Sequence, residues 1–322
     1  MNKIGILTSG GDAPGMNACI RAAVRTALAE NIEPVGILRG FQGLLQGEFQ
    51  PLDRGAICNI IHRGGTILET SRSREFETRE GRARAAATLR DAGIEGLVLI
   101  GGDGTFHGGT LLREEHGIEV TGIPATIDND VYGTDYCVGF DTAVNCALEA
   151  VDRVRDTALS HERLFFIEVM GRDTGFIALE SGIAGGAEEV LVPEYPMSTE
   201  ELSSRLSRYF RGGKQSAIVV VAEAGHPGWS FNLSREVHEA TGIESRVCVL
   251  GHIQRGGSPS ARDRVLGSMM GALAVQALLD GRAGIVAGES HGRQVCIPME
   301  ETWMKKKQLD PSLVFVKNLL SE

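Results

Sequence analysis

Leu97-Val98-Leu99-Ile100-Gly101-Gly102-Asp103-Gly104-Thr105 decides how the rest of the chain is read. Four apolar residues without polar alternation predict a strand buried on both faces, as in a parallel sheet covered by helices. The run enters a glycine turn that carries one carboxylate and is closed by a helix-capping threonine. Glycines let a backbone approach a polyphosphate closely, and the N–H groups at the start of the next helix favour anions. An aspartate among such groups is explained by a cation, and magnesium carried by a nucleotide supplies one. A plain strand-turn-helix with a surface aspartate has the same local pattern, so the neighbouring sequence must decide.

Outward from this stretch, apolar runs alternate with amphipathic helical stretches almost from end to end. Strands are predicted at 4–8, 34–38, 97–100, 120–123, 164–169, 189–192, 217–222 and 247–250, with helices at 16–29, 79–92, 140–160, 199–211 and 262–280. This order implies an α/β protein with doubly wound, Rossmann-like parallel sheets, in which ligands bind at the carboxyl ends of strands. A chain of 322 residues is long for one core and suits two such lobes with a cleft between them. No Pro/Ser-rich or charged linker separates them. Arg63-Gly64-Gly65-Thr66 and Arg255-Gly256-Gly257-Ser258 echo one another weakly, as two similar loops rather than a repeat.

Composition narrows the function. A net charge of -10 argues against nucleic acid as a general partner. No apolar run reaches the roughly 20 residues of a membrane-spanning helix. The N-terminus opens at once with the strand Ile4-Gly5-Ile6-Leu7-Thr8 and has no signal-peptide pattern. Cysteines at 19, 58, 137, 146, 248 and 296 have no paired spacing, which fits reduced thiols and a cytoplasmic location rather than zinc ligation.

A second acidic turn ends the next strand: Gly122-Ile123-Pro124-Ala125-Thr126-Ile127-Asp128-Asn129-Asp130. Two carboxylates beside a phosphate site suit a division of labour, one taking a proton from an attacking hydroxyl while the other stands near the metal. An Asx-rich turn bonded only to its own backbone is the alternative.

With these two turns in this order, the chain resembles the ATP-dependent 6-phosphofructokinase family. Further blocks carry the likeness: Thr8-Ser9-Gly10-Gly11-Asp12-Ala13-Pro14-Gly15-Met16-Asn17, Met170-Gly171-Arg172 and Gly251-His252-Ile253-Gln254-Arg255-Gly256-Gly257-Ser258-Pro259. A lipid or NAD kinase shares GGDG but needs neither the acidic turn nor the last loop. A non-catalytic binding protein is free to lose acids that this chain keeps. The resemblance implies the phosphofructokinase fold, with a nucleotide lobe at 1–139 plus 252–304 and a sugar-phosphate lobe at 140–251 plus 305–322. It implies transfer of the ATP γ-phosphoryl to the 1-hydroxyl of fructose 6-phosphate, a reaction of glycolysis.

The resemblance also assigns roles. Gly11, Arg72, Ser73, Gly102, Asp103, Gly104 and Thr105 would form the ATP site, with Arg72 neutralising the transferred phosphoryl and Asp103 holding Mg2+. Asp128 would be the base, Thr126 and Arg172 would position the reactants, and Asp130 would support the metal. Thr126, Ile127, Asp128, Arg163, Met170, Gly171, Arg172, Glu223, Arg246, His252 and Arg255 would bind fructose 6-phosphate. Arg163 and Arg246 would come from a neighbouring subunit of a homo-oligomer, a tetramer. Arg21, Arg25, Arg54, Arg155, Gly186, Glu188 and Lys214 would bind the effectors ADP and phosphoenolpyruvate. Pyrophosphate-using relatives carry Asp in place of Gly104 and Lys in place of Ala125, so these two small residues point to ATP.

Three departures stand out. Gly212 replaces a basic residue near the effector set, Asp173 adds an acid beside Arg172, and Phe41 keeps an adenine-stacking ring without the usual hydroxyl.

Overall fold

The computed structural model describes residues 1–161 and 163–320. The chain forms two compact units, Met1–Thr142 with Arg255–Lys307, and Ala143–Gln254 with the segment from Gln308 onward. Each boundary falls three residues beyond the expected one (142, 254 and 307 against 139, 251 and 304). His252 consequently belongs to the second unit, whereas Arg255 stays in the first, its Nη1 donating to the Asp12 carbonyl at 3.2 Å.

The first unit begins β1 (Lys3–Thr8), α1 (Met16–Ala29), β2 (Glu33–Ile37), α2 (Gly40–Gln46), β3 (Phe49–Pro51), α3 (Arg79–Asp91), β4 (Gly96–Gly101), α4 (Asp103–His116) and β5 (Glu119–Pro124). Helix α5 (Phe140–His161) carries the chain into the second unit: β6 (Leu164–Val169), α6 (Phe176–Ala184), β7 (Glu189–Leu191), α7 (Thr199–Arg211), β8 (Ala217–Ala222), α8 (Ser230–Thr241) and β9 (Ser245–Val249). After a 3-10 turn (Gly251–Arg255) come α9 (Ala261–Leu279), β10 (Ile285–Ser290), β11 (Arg293–Pro298) and α10 (Glu301–Met304) in the first unit, then α11 (Pro311–Leu320) in the second.

The first unit's seven strands run in the order β11-β10-β5-β4-β1-β2-β3. The middle five are parallel, and the two edge strands pair antiparallel. Every residue of β4 is buried, as an apolar run without alternation requires. From β1 the chain moves to β2 on one side and later to β4 on the other. Such a reversal of strand order opens a crevice at the carboxyl ends, and there the loops after β1 and β4 emerge.

In the second unit the order is β7-β8-β6-β9, all parallel. Leu164, Phe166, Val219 and Val221 on the sheet pack with Leu202 and Leu206 of α7 and with Leu233 and Val237 of α8. The spacing of each helical pair by four places both side chains on one face. Ser198 starts α7 by accepting from the Glu201 N–H at 3.2 Å, and the helix ends at Gly212 with Gly213 left-handed just beyond (φ 94°), the arrangement of a capped N-terminus and a glycine stop.

Two features were not legible as strands or as a contact. The β10–β11 hairpin turns on His291 and Gly292, both with positive φ (51° and 73°), the geometry of a type I′ turn. A histidine at the first position hides it from the usual Asn-Gly signal. The two Arg-Gly-Gly loops touch: a Cβ on Gly64 would lie 2.3 Å from the Gly257 carbonyl oxygen. Their resemblance therefore marks two backbones packed against each other.

Fully buried Asp263, in the first turn of α9, fixes the start of α5. Its carboxylate accepts from the Gly139 N–H and the Thr142 N–H, each at 2.8 Å, and from the Thr142 hydroxyl. Burial pushes its pKa up, while these donors pull it down. Asp263→Ala leaves three donors without an acceptor, at a cost on the order of 3 kcal/mol. A lower midpoint in urea unfolding is the expected result, and an unchanged midpoint would show the anchor to be dispensable.

Candidate active site

In the first unit the glycine turns are held by backbone contacts. Ser9 N–H donates to the Ile100 carbonyl at 3.0 Å, and Ala125 N–H to the Gly101 carbonyl at 2.9 Å, so the ends of β1, β4 and β5 lie level. A Cβ on Gly101 would sit 2.4 Å from Thr105 Oγ1 and 2.5 Å from the Ser9 oxygen. The Thr105 hydroxyl donates to that same oxygen at 3.2 Å. The expected helix-capping threonine is thereby corrected: Gly102 is the N-cap of α4, without a side-chain cap, and Thr105 instead fastens α4 to the β1 turn. Asp103 and Gly104 occupy the first helical turn, where the aligned peptide dipoles favour anions. Gly104 has open space where a Cβ would stand, and its φ is not in the left-handed region. Neither packing nor backbone geometry asks for glycine there.

Segment 66–70 lies on the β1 turn. Thr8 Oγ1 donates to the Glu69 carbonyl (2.7 Å), and Thr70 Oγ1 donates to the Gly10 carbonyl (2.6 Å). This leads into Arg72, exposed, and Ser73, whose Oγ accepts from Phe76 N–H at 3.4 Å. Phe41 lies in α2. Its ring is buried and stacked on Phe76, with centroids 3.9 Å apart and planes 8° apart. The stacking partner within the chain is therefore Phe76.

The acidic turn after β5 is braced by the residue between its acids. Asn129 adopts φ 53°, its Oδ1 accepts from Cys137 N–H at 2.8 Å, and its Nδ2 donates to the Asp135 carbonyl at 3.2 Å. Asp128 is buried, its N–H donating to Thr126 Oγ1 at 3.2 Å. Ile127 is fully buried and belongs to the core. Arg255 Nη2 approaches Asp128 Oδ2 at 4.0 Å, and the guanidinium lies over Gly11, where a Cβ would be 2.7 Å from Nη1. Burial pushes the Cys137 thiol up to about 12, with the Lys307 charge opposing and the Asp130 and Asp103 charges adding. Asp103 offers hard oxygen donors at a helix start, which fits magnesium, an ion that keeps most of its waters and arrives on phosphates.

In the second unit a different logic holds the loop after β6. Gly171 (φ 149°) has no room for a side chain, since a Cβ would lie 2.4 Å from the Thr174 carbonyl oxygen. Arg172 adopts φ 56°, an uncommon left-handed conformation for such a residue. Its N–H donates to Glu223 Oε1 at 3.0 Å and its carbonyl accepts from Gly225 N–H at 2.6 Å. The guanidinium is left exposed, 3.8 Å from Asp173. Met170 is buried, with its N–H 3.4 Å from Gln254 Oε1. His252 is exposed in the 3-10 turn. Glu168, which sequence reasoning missed, is buried on β6 and accepts from Gly228 N–H (2.5 Å), Ser230 N–H (3.1 Å) and the Ser230 hydroxyl. Only its burial reveals it as the support of the loop after β8.

Arg163 and Arg246 are not brought to this rim. Arg163 precedes the first residue of β6, and Arg246 pairs in register with Phe165 near the amino end. The six residues of β6 put about 20 Å between the two ends of the sheet.

Four of the expected effector residues do meet in the second unit. Arg155 Nη2 donates to the Gly185 and Gly186 carbonyls, each at 2.6 Å, and Nη1 lies 3.9 Å from Glu188. Lys214 donates to Glu188 Oε1 at 3.2 Å, and Glu188 Oε2 accepts from Ile218 N–H at 2.7 Å. Arg21, Arg25 and Arg54 belong to the first unit, the first half-buried and the others exposed.

The phosphofructokinase family model matches residues 3–278. The chain belongs to the phosphofructokinase family. The ATP-dependent 6-phosphofructokinase 1 of Thermus thermophilus is 56% identical over 321 residues, covering 100% of both chains. A solved phosphofructokinase of Saccharomyces cerevisiae is 32% identical with a TM-score of 0.88 over 94% of this chain, which spans 44% of that longer one. A pyrophosphate-dependent phosphofructokinase of Marinobacter aquaeolei, 23% identical, shares the fold with a TM-score of 0.86, covering 99% of this chain and 91% of its own.

Proposed function

We propose that this phosphofructokinase transfers the γ-phosphoryl group of ATP to the 1-hydroxyl of fructose 6-phosphate, giving fructose 1,6-bisphosphate and ADP in glycolysis. Full-length identity of 56% to an ATP-dependent relative supports the reaction. The observation that carries the choice of donor is the open space at Gly104. A side chain there would stand in the first turn of α4, against a nucleotide's phosphates. Ala125, 1% exposed and bonded to β4, offers no charge to replace those that a nucleotide brings with it.

The sugar's O1 forms its bond to the γ-phosphorus as the bond to the β-phosphate oxygen breaks. The O1 proton passes to the Asp128 carboxylate, and ADP leaves. Phosphoryl transfer of this kind depends mainly on position and charge compensation. Arg72 compensates the transferred group, Thr126 and Arg172 position it, and Gly11, Ser73, Gly102 and Thr105 line the nucleotide. Magnesium, held by Asp103 with Asp130 nearby, neutralises phosphate charge when bound. Met170, Gly171, Glu223, His252 and Arg255 receive the sugar phosphate.

Arg163 and Arg246, at the amino end of their sheet, serve the substrate of a neighbouring subunit in a homotetramer. ADP and phosphoenolpyruvate are the proposed effectors of the cluster built on Arg155, Gly186, Glu188 and Lys214, completed by Arg21, Arg25 and Arg54. Gly212, which ends α7, leaves that cluster one basic residue short. Among the described residues no helix is long and apolar enough to cross a membrane, and the proposed location is the cytoplasm.

Asp128→Asn is expected to lower kcat by about two to four orders of magnitude, as for loss of a general base, with both KM values nearly unchanged. Near-normal turnover would remove Asp128 from that role. In a coupled assay with fructose 6-phosphate, magnesium ATP should support turnover and pyrophosphate should not, while Gly104→Asp raises the KM for ATP by about tenfold or more. Equal rates with either donor would contradict the reading of positions 104 and 125. Arg25→Ala should flatten the response to ADP and phosphoenolpyruvate while leaving turnover at saturating substrate intact. Effector curves matching the parent would dissolve the proposed second site.

A further inference from the structure

Lys307 closes the first unit's second segment, 179 residues beyond Asp128 in sequence (307 minus 128). Its ammonium donates to the Asp135 carbonyl at 2.7 Å. That carbonyl also accepts from Asn129 Nδ2 at 3.2 Å, and Asn129 is the left-handed residue between Asp128 and Asp130. Asp135 is itself immobilised by β10 and the hairpin turn. Its N–H donates to the Glu289 carbonyl at 2.7 Å, and its Oδ2 accepts from His291 N–H at 2.6 Å. Lys307, Asp135 and Asn129 thus form one continuous brace behind the two acids.

The brace also brings a charge. Cys137, beneath the turn, feels the Lys307 charge and the opposing charges of Asp130 and Asp103 together. Of the neighbouring lysines, Lys305 is occupied elsewhere, paired with Glu301 at 2.7 Å and lying over the Tyr132 ring. Beside the Arg255 guanidinium, 4.0 Å from Asp128, the half-buried Lys307 ammonium thus adds positive charge to a group of carboxylates that must stay together to hold a metal and accept a proton.

We propose that Lys307 is a positioning residue for phosphoryl transfer, setting the Asp128-Asn129-Asp130 turn through the Asp135 carbonyl and offsetting its crowded negative charge. Lys307 acts through the Asp135 carbonyl rather than on substrate or reacting atoms, so its effect falls on the transferring step rather than on binding. An outer-shell group of this kind matters because displacement of a catalytic group by about 1 Å can cost a hundredfold in rate. The inference rests on the reading of Asp128 as the base.

The test is steady-state kinetics of the full chain with magnesium ATP and fructose 6-phosphate for Lys307→Met, Lys307→Gln, Lys307→Arg and Asp128→Asn. Lys307→Met is expected to lower kcat by about 10- to 100-fold with both KM values within about twofold of the parent. Lys307→Arg, which keeps charge and donor, should recover most of the loss, a rescue that a mere packing role would not produce. Lys307→Gln keeps a donor without charge and decides the matter should the methionine variant fold poorly; a loss of about fivefold or more is expected. Turnover of the methionine or glutamine variant within about twofold of the parent overturns the proposal, as does a loss confined to KM. An inactive Asp128→Asn beside a normal Lys307→Met removes Lys307 alone, whereas an active Asp128→Asn removes the reading of the turn and this proposal with it.

Discussion

Two turns packed too closely for side chains organise the first unit. The Ser9 carbonyl lies where a Cβ on Gly101 would come within 2.5 Å of it, and the same oxygen takes the Thr105 hydroxyl. The ends of β1 and β4 are therefore drawn together, and Ala125 N–H on the Gly101 carbonyl draws β5 to the same level. Parallel strands in register deliver their following loops to one rim. Glycine loop, helix start and acidic turn all emerge there because the backbone of one is the hydrogen-bond partner of the next.

The second unit reaches its rim by other means. There the loop after β6 carries a full arginine in the left-handed region, a strain of order 1–3 kcal/mol that its surroundings must overcome. Glu223 on one side and Gly225 on the other hold Arg172 by its own N–H and carbonyl, leaving the guanidinium exposed. Glu168 holds the loop beyond. A charged residue presented in an uncommon conformation, with the backbone clamped and the side chain released, is a geometry suited to binding.

The division between what could and could not be read from the chain follows from range. The parallel strands are legible because burial on both faces suppresses alternation, and the glycine turns because their residue types stand out within a short stretch, although what demands Gly101, the Ser9 oxygen, lies far along the chain. The role of Thr105 was misread because its partner is a carbonyl 96 residues away. Phe41 is legible as a stacking ring, but its stacking on Phe76 is set by how α2 meets the segment before α3. Lys307, Glu168 and Asp263 are ordinary charged residues in sequence, and only burial and distant backbone partners distinguish them. The amino-end positions of Arg163 and Arg246 could be counted along their strands, but the distance from the opposite rim emerges only with the sheet.

Gly101 and Gly104 differ in a way that bears on the donor. At Gly101 the chain itself forbids a side chain, because backbone and hydroxyl oxygens fill the space. At Gly104 nothing in the chain lies within 4 Å of a Cβ. Neither packing nor backbone geometry calls for glycine there, which is why the position bears on the proposed donor. Fold alone does not identify it, since the pyrophosphate-dependent protein of Marinobacter aquaeolei shares this architecture at a TM-score of 0.86. Discrimination between phosphoryl donors must then lie in side chains added to or withheld from the common scaffold. In the proposed nucleotide site the first turn of α4, where a nucleotide would need room that a smaller donor would not, is where withholding one has a physical reason.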